Sequence, residues 1–243
     1  TRVVLNARRG LTVKSLAFKS HDFKPIIGTI SQGYFSSIEL GADFYSGGVV
    51  IEIPGERIRM TDLEWVTPHI SQVENNIIIT ANVSIGDRVI SKTITIDTKS
   101  EQIKLNYEFS EWERPLGTVR LGIITFLPEW DLSSFNVSCK NGGINTERYQ
   151  LDHAVNHSRA ASTLVSSTAA LGATDGQIRF EDSTGNGISL DWNPGDCAAI
   201  PMLQHQLSHN HYLTRLFFSL CELDDTARAA GSLLPFSLEI KTI

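Results

Sequence analysis

Residues 33–54 combine aromatic side chains, glycines and a carboxylate in one short stretch, GYFSSIELGADFYSGGVVIEIP. Tyr45 offers a flat ring with a polar end, and Asp43 offers hydrogen-bond acceptors two residues earlier. Glycines at this density allow tight turns and a close approach of the main chain to a ligand. A flat ring beside a carboxylate suits a sugar, which presents apolar C–H faces and hydroxyl groups. The alternative is that the stretch caps one end of a β-sandwich or meets a partner domain.

The four tryptophans each have acidic or polar neighbours, and Trp192 lies between Asp191 and Asn193. An indole ring can stack on a sugar while the flanking polar groups bind its hydroxyls. We therefore predict one carbohydrate-binding surface made of Asp43, Tyr45, Asp191, Trp192 and Asn193. The competing interpretation is that the tryptophans pack at the edge of the core.

Three histidines, His205, His209 and His211, are spaced closely enough to consider a metal site, because a strand would place residues 209 and 211 on one face. The chain has no H-E-x-x-H motif. We expect no metal and no other cofactor, and these histidines are the residues that would hold a metal if one bound.

The acidic run at Glu222, Asp224 and Asp225 contains the two carboxylates that glycoside hydrolysis requires. Neighbours on one segment cannot flank a scissile bond from opposite sides, so we predict that the run caps a short helix over residues 226–231. No Gly-x-Ser-x-Gly elbow, phosphate loop or dinucleotide motif is present. We therefore predict no catalytic residue from motifs alone.

Composition excludes some partners. The 243 residues carry a net charge of -6, which argues against a nucleic-acid partner, since phosphate binding needs clustered basic residues. The three cysteines, Cys139, Cys197 and Cys221, form no C-x-x-C pair and favour free thiols in a reducing compartment, hence the cytoplasm. No apolar run reaches the roughly 20 residues that span a bilayer, so no membrane partner is expected.

The elements that position these residues are strands. Residues 77–85 and 103–109 alternate between apolar and polar side chains, which predicts strands with one wet face, and Lys104, Asn106 and Glu108 lie on the wet face of the second. Residues 119–127 are more continuously apolar, as in a strand covered on both faces. We expect about fourteen strands and under about 10% helix in one domain over residues 1–243, an all-β, large antiparallel sandwich.

Residues 6–18, NARRGLTVKSLAF, resemble the opening strands of galactose-mutarotase-like β-sandwiches. Three further segments, GYFSSIELGADFYSGG, LVSSTAALGATDGQIRFED and GISLDWNPGDCAAIPMLQH, resemble the β-sandwich that follows the catalytic barrel in family 57 and family 38 type glycoside hydrolases. This resemblance implies a supersandwich fold, and an accessory domain that shapes the substrate cleft or packs on a catalytic barrel domain or subunit. The chain begins at Thr1 instead of Met, so we also expect that it can be an excised piece.

Mutarotases share that fold, and the segment Val155-Asn156-His157-Ser158 resembles their N-H-S motif. The resemblance makes His157 a candidate catalytic acid in a stand-alone aldose 1-epimerase. The residues that follow, Arg159-Ala160-Ala161, depart from the mutarotase pattern. A third reading is a purely structural or interaction domain without sugar contact.

Overall fold

The computed structural model describes residues 1–31, 44–156, 170–208, 211–222 and 231–243. In these ranges eighteen β-strands form three sheets, and every strand pair is antiparallel. The helical elements described are four 3-10 turns of three residues each: Ala7–Arg9, Lys19–His21, Pro54–Glu56 and Leu132–Ser134. The prediction of an all-β sandwich with little helix is confirmed. The predicted short helix over residues 226–231 lies almost entirely outside the described residues.

Strands are numbered along the chain. The small sheet contains β1 (Arg2–Asn6), β2 (Thr12–Ala17) and β3 (Pro25–Gly28). The six-stranded sheet has the order β13 (Val155–Asn156), β16 (Ile200–Ser208), β17 (His211–Cys221), β10 (Thr118–Thr125), β4 (Val50–Ile53) and β5 (Ile58–Thr61). The nine-stranded sheet has the order β12 (Glu147–Gln150), β11 (Asn136–Cys139), β14 (Gln177–Glu181), β15 (Gly187–Asp191), β18 (Phe236–Thr242), β9 (Gln102–Phe109), β8 (Arg88–Asp97), β7 (Asn76–Ile85) and β6 (His69–Val73).

The period of the hydrophobic pattern correctly predicts which side chains enter the core. In β9 every second residue is buried, whereas Lys104 and Glu108 are exposed. Every residue of β10 is buried, as its continuous apolar run predicts for a strand covered on both faces. One hydrophobic cluster contains side chains from all three sheets, among them Leu16, Leu105 and Leu216.

The first hairpin follows its turn chemistry. The Asn6 side chain accepts a hydrogen bond from the Arg8 main-chain N–H at 3.1 Å, which starts the 3-10 turn. Gly10 ends it in the left-handed region at φ 61°. A Cβ at this glycine would lie 1.8 Å from the Asp62 main-chain oxygen, so both the conformation and the space require glycine.

A buried ion pair connects the two large sheets. Lys92 lies on β8, and Asp62 directly follows β5; the two side chains are 3% and 0% exposed. The Lys92 Nζ contacts the Asp62 carboxylate and donates to the Gly10 carbonyl at 2.7 Å. Asp62 Oδ1 accepts from the Val49 N–H at 2.8 Å. Burial and the Asp62 charge raise the pKa of the neighbouring Tyr107, whose hydroxyl donates to the Gly47 carbonyl at 3.0 Å.

The three cysteines, Cys139, Cys197 and Cys221, are buried free thiols, as predicted. Burial raises the pKa of the Cys197 thiol to about 11, which keeps it protonated and unreactive near neutral pH. Among the described residues, no helix has the length and apolar character required to cross a membrane.

Candidate functional site

A groove of about 810 Å³, lined by both polar and apolar side chains, lies on the face of the nine-stranded sheet that points away from the core. Its floor comes from β9 and β18, its end from the last residue of β15, and its walls from residues 192–197 and Pro235. These pieces are distant in sequence and meet because β18 pairs with β15 on one side and with β9 on the other.

The floor is the wet face that the alternation in β9 predicts. Lys104, Asn106 and Glu108 project into the groove beside Ser237 of β18. The Ser237 hydroxyl donates to Asn106 Oδ1 at 2.8 Å, which leaves the Asn106 amide N–H groups without a partner among the described residues. Lys104 and Glu108 make no ion pair within the described part of the chain. The floor therefore presents free donors and free acceptors side by side.

Asp191 is fixed at the end of the groove by three donors. Gln177 Nε2 donates to one carboxylate oxygen, and the Ser189 hydroxyl donates to the other at 2.8 Å. Lys241 Nζ lies 3.2 Å from Asp191 and 3.3 Å from Glu239. Burial acts to lower the pKa of Lys241, but the hydrogen bonds and charges of these two carboxylates outweigh it and raise the pKa. Asp191 is thus an oriented, ion-paired acceptor.

The groove wall that follows Asp191 is a turn, and the side chain of Asn193 stabilises this turn. Asn193 Oδ1 accepts from the Gly195 N–H at 3.0 Å, a local turn typical of asparagine. Its amide N–H groups have no partner among the described residues. Asp196 is also exposed on this wall and makes no described ion pair. The Asn193 amide N–H groups and the Asp196 carboxylate are therefore positioned to contact a ligand in the groove.

Trp192 lines the groove but is a core residue. Its side chain is only 7% exposed, and its ring packs edge-on against Phe218 with centroids 5.1 Å apart. Because the side chain is buried, its ring offers little surface on which a sugar could stack. The fully exposed indole is Trp65, at 79%, in the loop between β5 and β6. Nothing in the local sequence separates these two tryptophans, since both have acidic neighbours.

The described members of the predicted sugar-binding surface lie on two different sheets. The Tyr45 carbonyl accepts from the Thr125 hydroxyl at 3.4 Å, so Tyr45 lies against β10 of the six-stranded sheet. Residues 191–193 lie at the end of β15 in the nine-stranded sheet. Asp43 lies outside the described residues.

The predicted histidine cluster is not brought together. His205 is fully buried on the core side of β16, where Nδ1 lies 2.8 Å from the Thr214 hydroxyl and the ring stacks on Tyr212 at 4.6 Å. Burial lowers the pKa of His205 to about 4. His211 is exposed and, by alternation along β17, belongs to the opposite face from Thr214. His209 lies outside the described residues, as does His157.

No group of three or more histidine, cysteine or acidic side chains is arranged to hold a metal ion in the part of the chain that the structure describes. Glu222, the first acid of the predicted capping run, instead forms a buried bidentate pair with Arg120, at 2.9 and 3.0 Å. Asp224 and Asp225 lie outside the described residues. A single arginine lies within the apolar run of β10. An arginine in a buried strand needs a carboxylate partner, so this residue could have predicted a buried ion pair.

The groove can bind a ligand rich in hydroxyl groups. Each hydroxyl both donates and accepts, and the groove supplies amide and ammonium donors near carboxylate acceptors. Asp191 receives hydrogen bonds from an ammonium and two neutral donors, so its carboxylate is oriented as an acceptor.

Solved structures with the same fold occur at very low sequence identity. The Gal-NHAc-DNJ complex of an α-N-acetylgalactosaminidase from Bifidobacterium bifidum matches with a TM-score of 0.56 at 10% identity, covering 84% of this chain and 32% of that chain. A TPR-domain containing protein from Parabacteroides distasonis matches with a TM-score of 0.55 at 9% identity, covering 99% and 45%. A candidate aldose 1-epimerase from Escherichia coli K12 matches with a TM-score of 0.50 at 11% identity, covering 99% and 95%.

The sequence matches no family model, and it matches no curated protein. This chain spans about a third of the length of the galactosaminidase. At identities of 9–11%, these likenesses establish the fold. The chain is a β-sandwich of the kind found in a part of a glycoside hydrolase and in nearly the whole of an aldose-epimerase-like protein.

Proposed function

We propose that this chain is a carbohydrate-associated β-sandwich of a glycoside hydrolase, which shapes or supports a sugar-binding cleft and does not hydrolyse the sugar by itself. The groove over β9, β18 and β15 is the surface that meets the carbohydrate. The observation that carries this proposal is the convergence there of Asp191, Asn193 and the free polar groups of the β9 wet face.

The fold comparisons support an accessory role. This chain matches a part of the galactosaminidase, 32% of its length, so a further domain would supply the chemistry. We propose a catalytic barrel domain or subunit as the partner. We also propose that the complete enzyme is similar to the family 57 and family 38 type glycoside hydrolases. The buried free thiols support a reducing compartment, such as the cytoplasm.

Titration of a panel of oligosaccharides by calorimetry tests the groove. Asn193→Asp keeps the acceptor for the Gly195 N–H and removes the unpaired amide donors, and the double variant Glu108→Ala/Asp196→Ala removes two exposed acceptors. Each lost polar partner should weaken binding by about 1–3 kcal/mol, or about 5- to 150-fold in Kd. These side chains are exposed, so the variants should fold normally.

Asp87→Ala is the matched control, because Asp87 is an exposed acid in the turn between β7 and β8, away from the groove. Its affinities should equal those of the wild type. Equal affinities for all variants would refute the groove as the sugar-binding surface and favour a purely structural or interaction domain.

An independent aldose 1-epimerase is the second candidate, favoured by the matching lengths of this chain and the Escherichia coli protein. An epimerase would accelerate the decay of optical rotation in a freshly dissolved aldose, and His157→Ala would abolish the effect. We expect no acceleration, because the residues after His157 depart from the mutarotase motif. A rate that depends on His157 would replace the accessory role with catalysis.

A further inference from the structure

Arg215 lies on the face of the six-stranded sheet that points away from the core, far from the groove. It pairs in register with Thr125 of β10 and Gln204 of β16. Its guanidinium carbon lies 4.6 Å from the centroid of the Phe217 ring and 4.9 Å from that of the Phe44 ring. Contact with aromatic rings stabilises a guanidinium in its charged form and leaves its edge available for hydrogen bonds.

Within the described ranges, one of the five N–H donors of Arg215 has an acceptor. Its Nε–H donates to the Thr125 hydroxyl at 3.1 Å. The four remaining N–H groups have no partner among the described residues, and no described carboxylate forms an ion pair with Arg215. Arg120 on the same sheet face differs, because its guanidinium binds Glu222 through two parallel hydrogen bonds.

Burial and a like charge both disfavour the charged form of Arg215. Burial and, second, the charge of Arg59 on β5 lower the pKa of Arg215 to about 9. Arg59 is itself paired with Glu52 at 3.6 Å. An anion that contacts the half-buried guanidinium would offset the cost of its burial.

The frame around the guanidinium is held by main-chain bonds. Phe44 exchanges two hydrogen bonds with Ile30, at 2.8 and 3.1 Å. The Ser46 hydroxyl donates to the Gly28 carbonyl at 2.5 Å and accepts from the Thr125 N–H at 2.8 Å. The segment that carries Phe44 is therefore fixed against β10, and Arg215 needs little ordering to receive a ligand.

We propose that Arg215 is the centre of an oxyanion-binding site, at which a carboxylate or phosphate group of a small ligand takes two parallel hydrogen bonds from the free edge of the guanidinium. A planar fork of N–H donors matches the two oxygens of such a group. The site lies on a different sheet from the sugar groove and does not depend on the proposed function of the chain.

Two probes distinguish the sources of the anion: inorganic phosphate and acetate, each titrated at constant ionic strength against chloride. Binding is followed by thermal unfolding and by the 15N-resolved Nε–Hε signal of Arg215 in NMR spectra. One or both probes should raise the Tm and shift that signal in the wild type. Arg215→Met keeps an apolar stem between the same neighbours and should weaken binding by about tenfold or more. The NMR arm uses only wild-type protein, so the test holds even if this variant fails to fold.

Arg88→Met is the matched control, because the Arg88 guanidinium also lies over a ring, that of Trp112, at 5.4 Å, but at the exposed start of β8. It should bind the anion as the wild type does. An unmoved Arg215 signal with both probes, or equal losses in Arg215→Met and Arg88→Met, would overturn the proposal and leave only a general salt effect.

Discussion

Replacing Lys92 by methionine should reveal how strongly one buried charge pair stabilises the sandwich. The substitution keeps an apolar side chain of similar length in the core but removes the ammonium between Asp62 and the Gly10 carbonyl. Asp62, which is fully buried, would keep only its bond from the Val49 N–H. We expect a loss of about 3–5 kcal/mol in the free energy of unfolding at pH 7, the range for an ion pair broken on one side.

The pH dependence makes the test sharper. An unpaired carboxylate in a core takes up a proton instead of staying charged. The free energy needed to protonate it depends on how far the pH lies above the ordinary aspartate pKa of about 3.9. That cost is about 4 kcal/mol at pH 7 and about 1.5 kcal/mol at pH 5. The folded variant then binds more protons than its unfolded chain, so its stability falls as the pH rises. The deficit of Lys92→Met should therefore shrink by about 2–3 kcal/mol between pH 7 and pH 5.

Urea unfolding followed by tryptophan fluorescence measures these differences. Adding Asp62→Asn to Lys92→Met should recover about 1–3 kcal/mol, because a neutral amide removes the buried charge and still accepts from Val49. Lys140→Met is the control, since Lys140 and Asp175 form an exposed pair at 3.4 Å that contributes less than about 1 kcal/mol. Equal losses in Lys92→Met and Lys140→Met, or a deficit independent of pH, would refute the reasoning.

Three further predictions concern stability and can be measured by the same unfolding assay. Burial lowers the pKa of His205 to about 4, so between pH 6.5 and pH 4 the unfolded chain binds a proton at this residue that the folded chain does not bind. The free energy of unfolding of the wild type should therefore fall by about 3 kcal/mol over this range, and that of His205→Gln should not show this loss. Gly10→Ala should cost more than about 2 kcal/mol because φ is positive and the space is filled, whereas Gly55→Ala, with open space, should be nearly neutral. Trp192→Ala should cost about 3–5 kcal/mol and Trp65→Ala less than about 0.5 kcal/mol; the reverse order would contradict the burial of Trp192.

The sequence alone determined the fold class and the two faces of the clearest strands. Alternation in residues 103–109 correctly separates the core side chains from Lys104 and Glu108, and continuous apolarity correctly predicts that β10 is covered on both faces. These predictions succeed because side-chain direction in a strand has a period of two and depends on nothing distant. Glycine and asparagine fixed the first turn for an equally local reason.

The tertiary structure decided which residues meet. Asp191 and Lys104 line the same groove because β18 pairs with β15 on one side and with β9 on the other. Tyr45 lies on the other large sheet. The sequence pattern assigned Trp192 to a sugar surface, whereas the packing of its ring on Phe218 makes it part of the core. Sheet order and register join segments about a hundred residues apart, and the energy that selects them comes from burying apolar faces against each other. No local pattern encodes that choice, so the composition of the groove, the burial of Lys92 and the contact of Arg215 with two aromatic rings follow only from the folded chain.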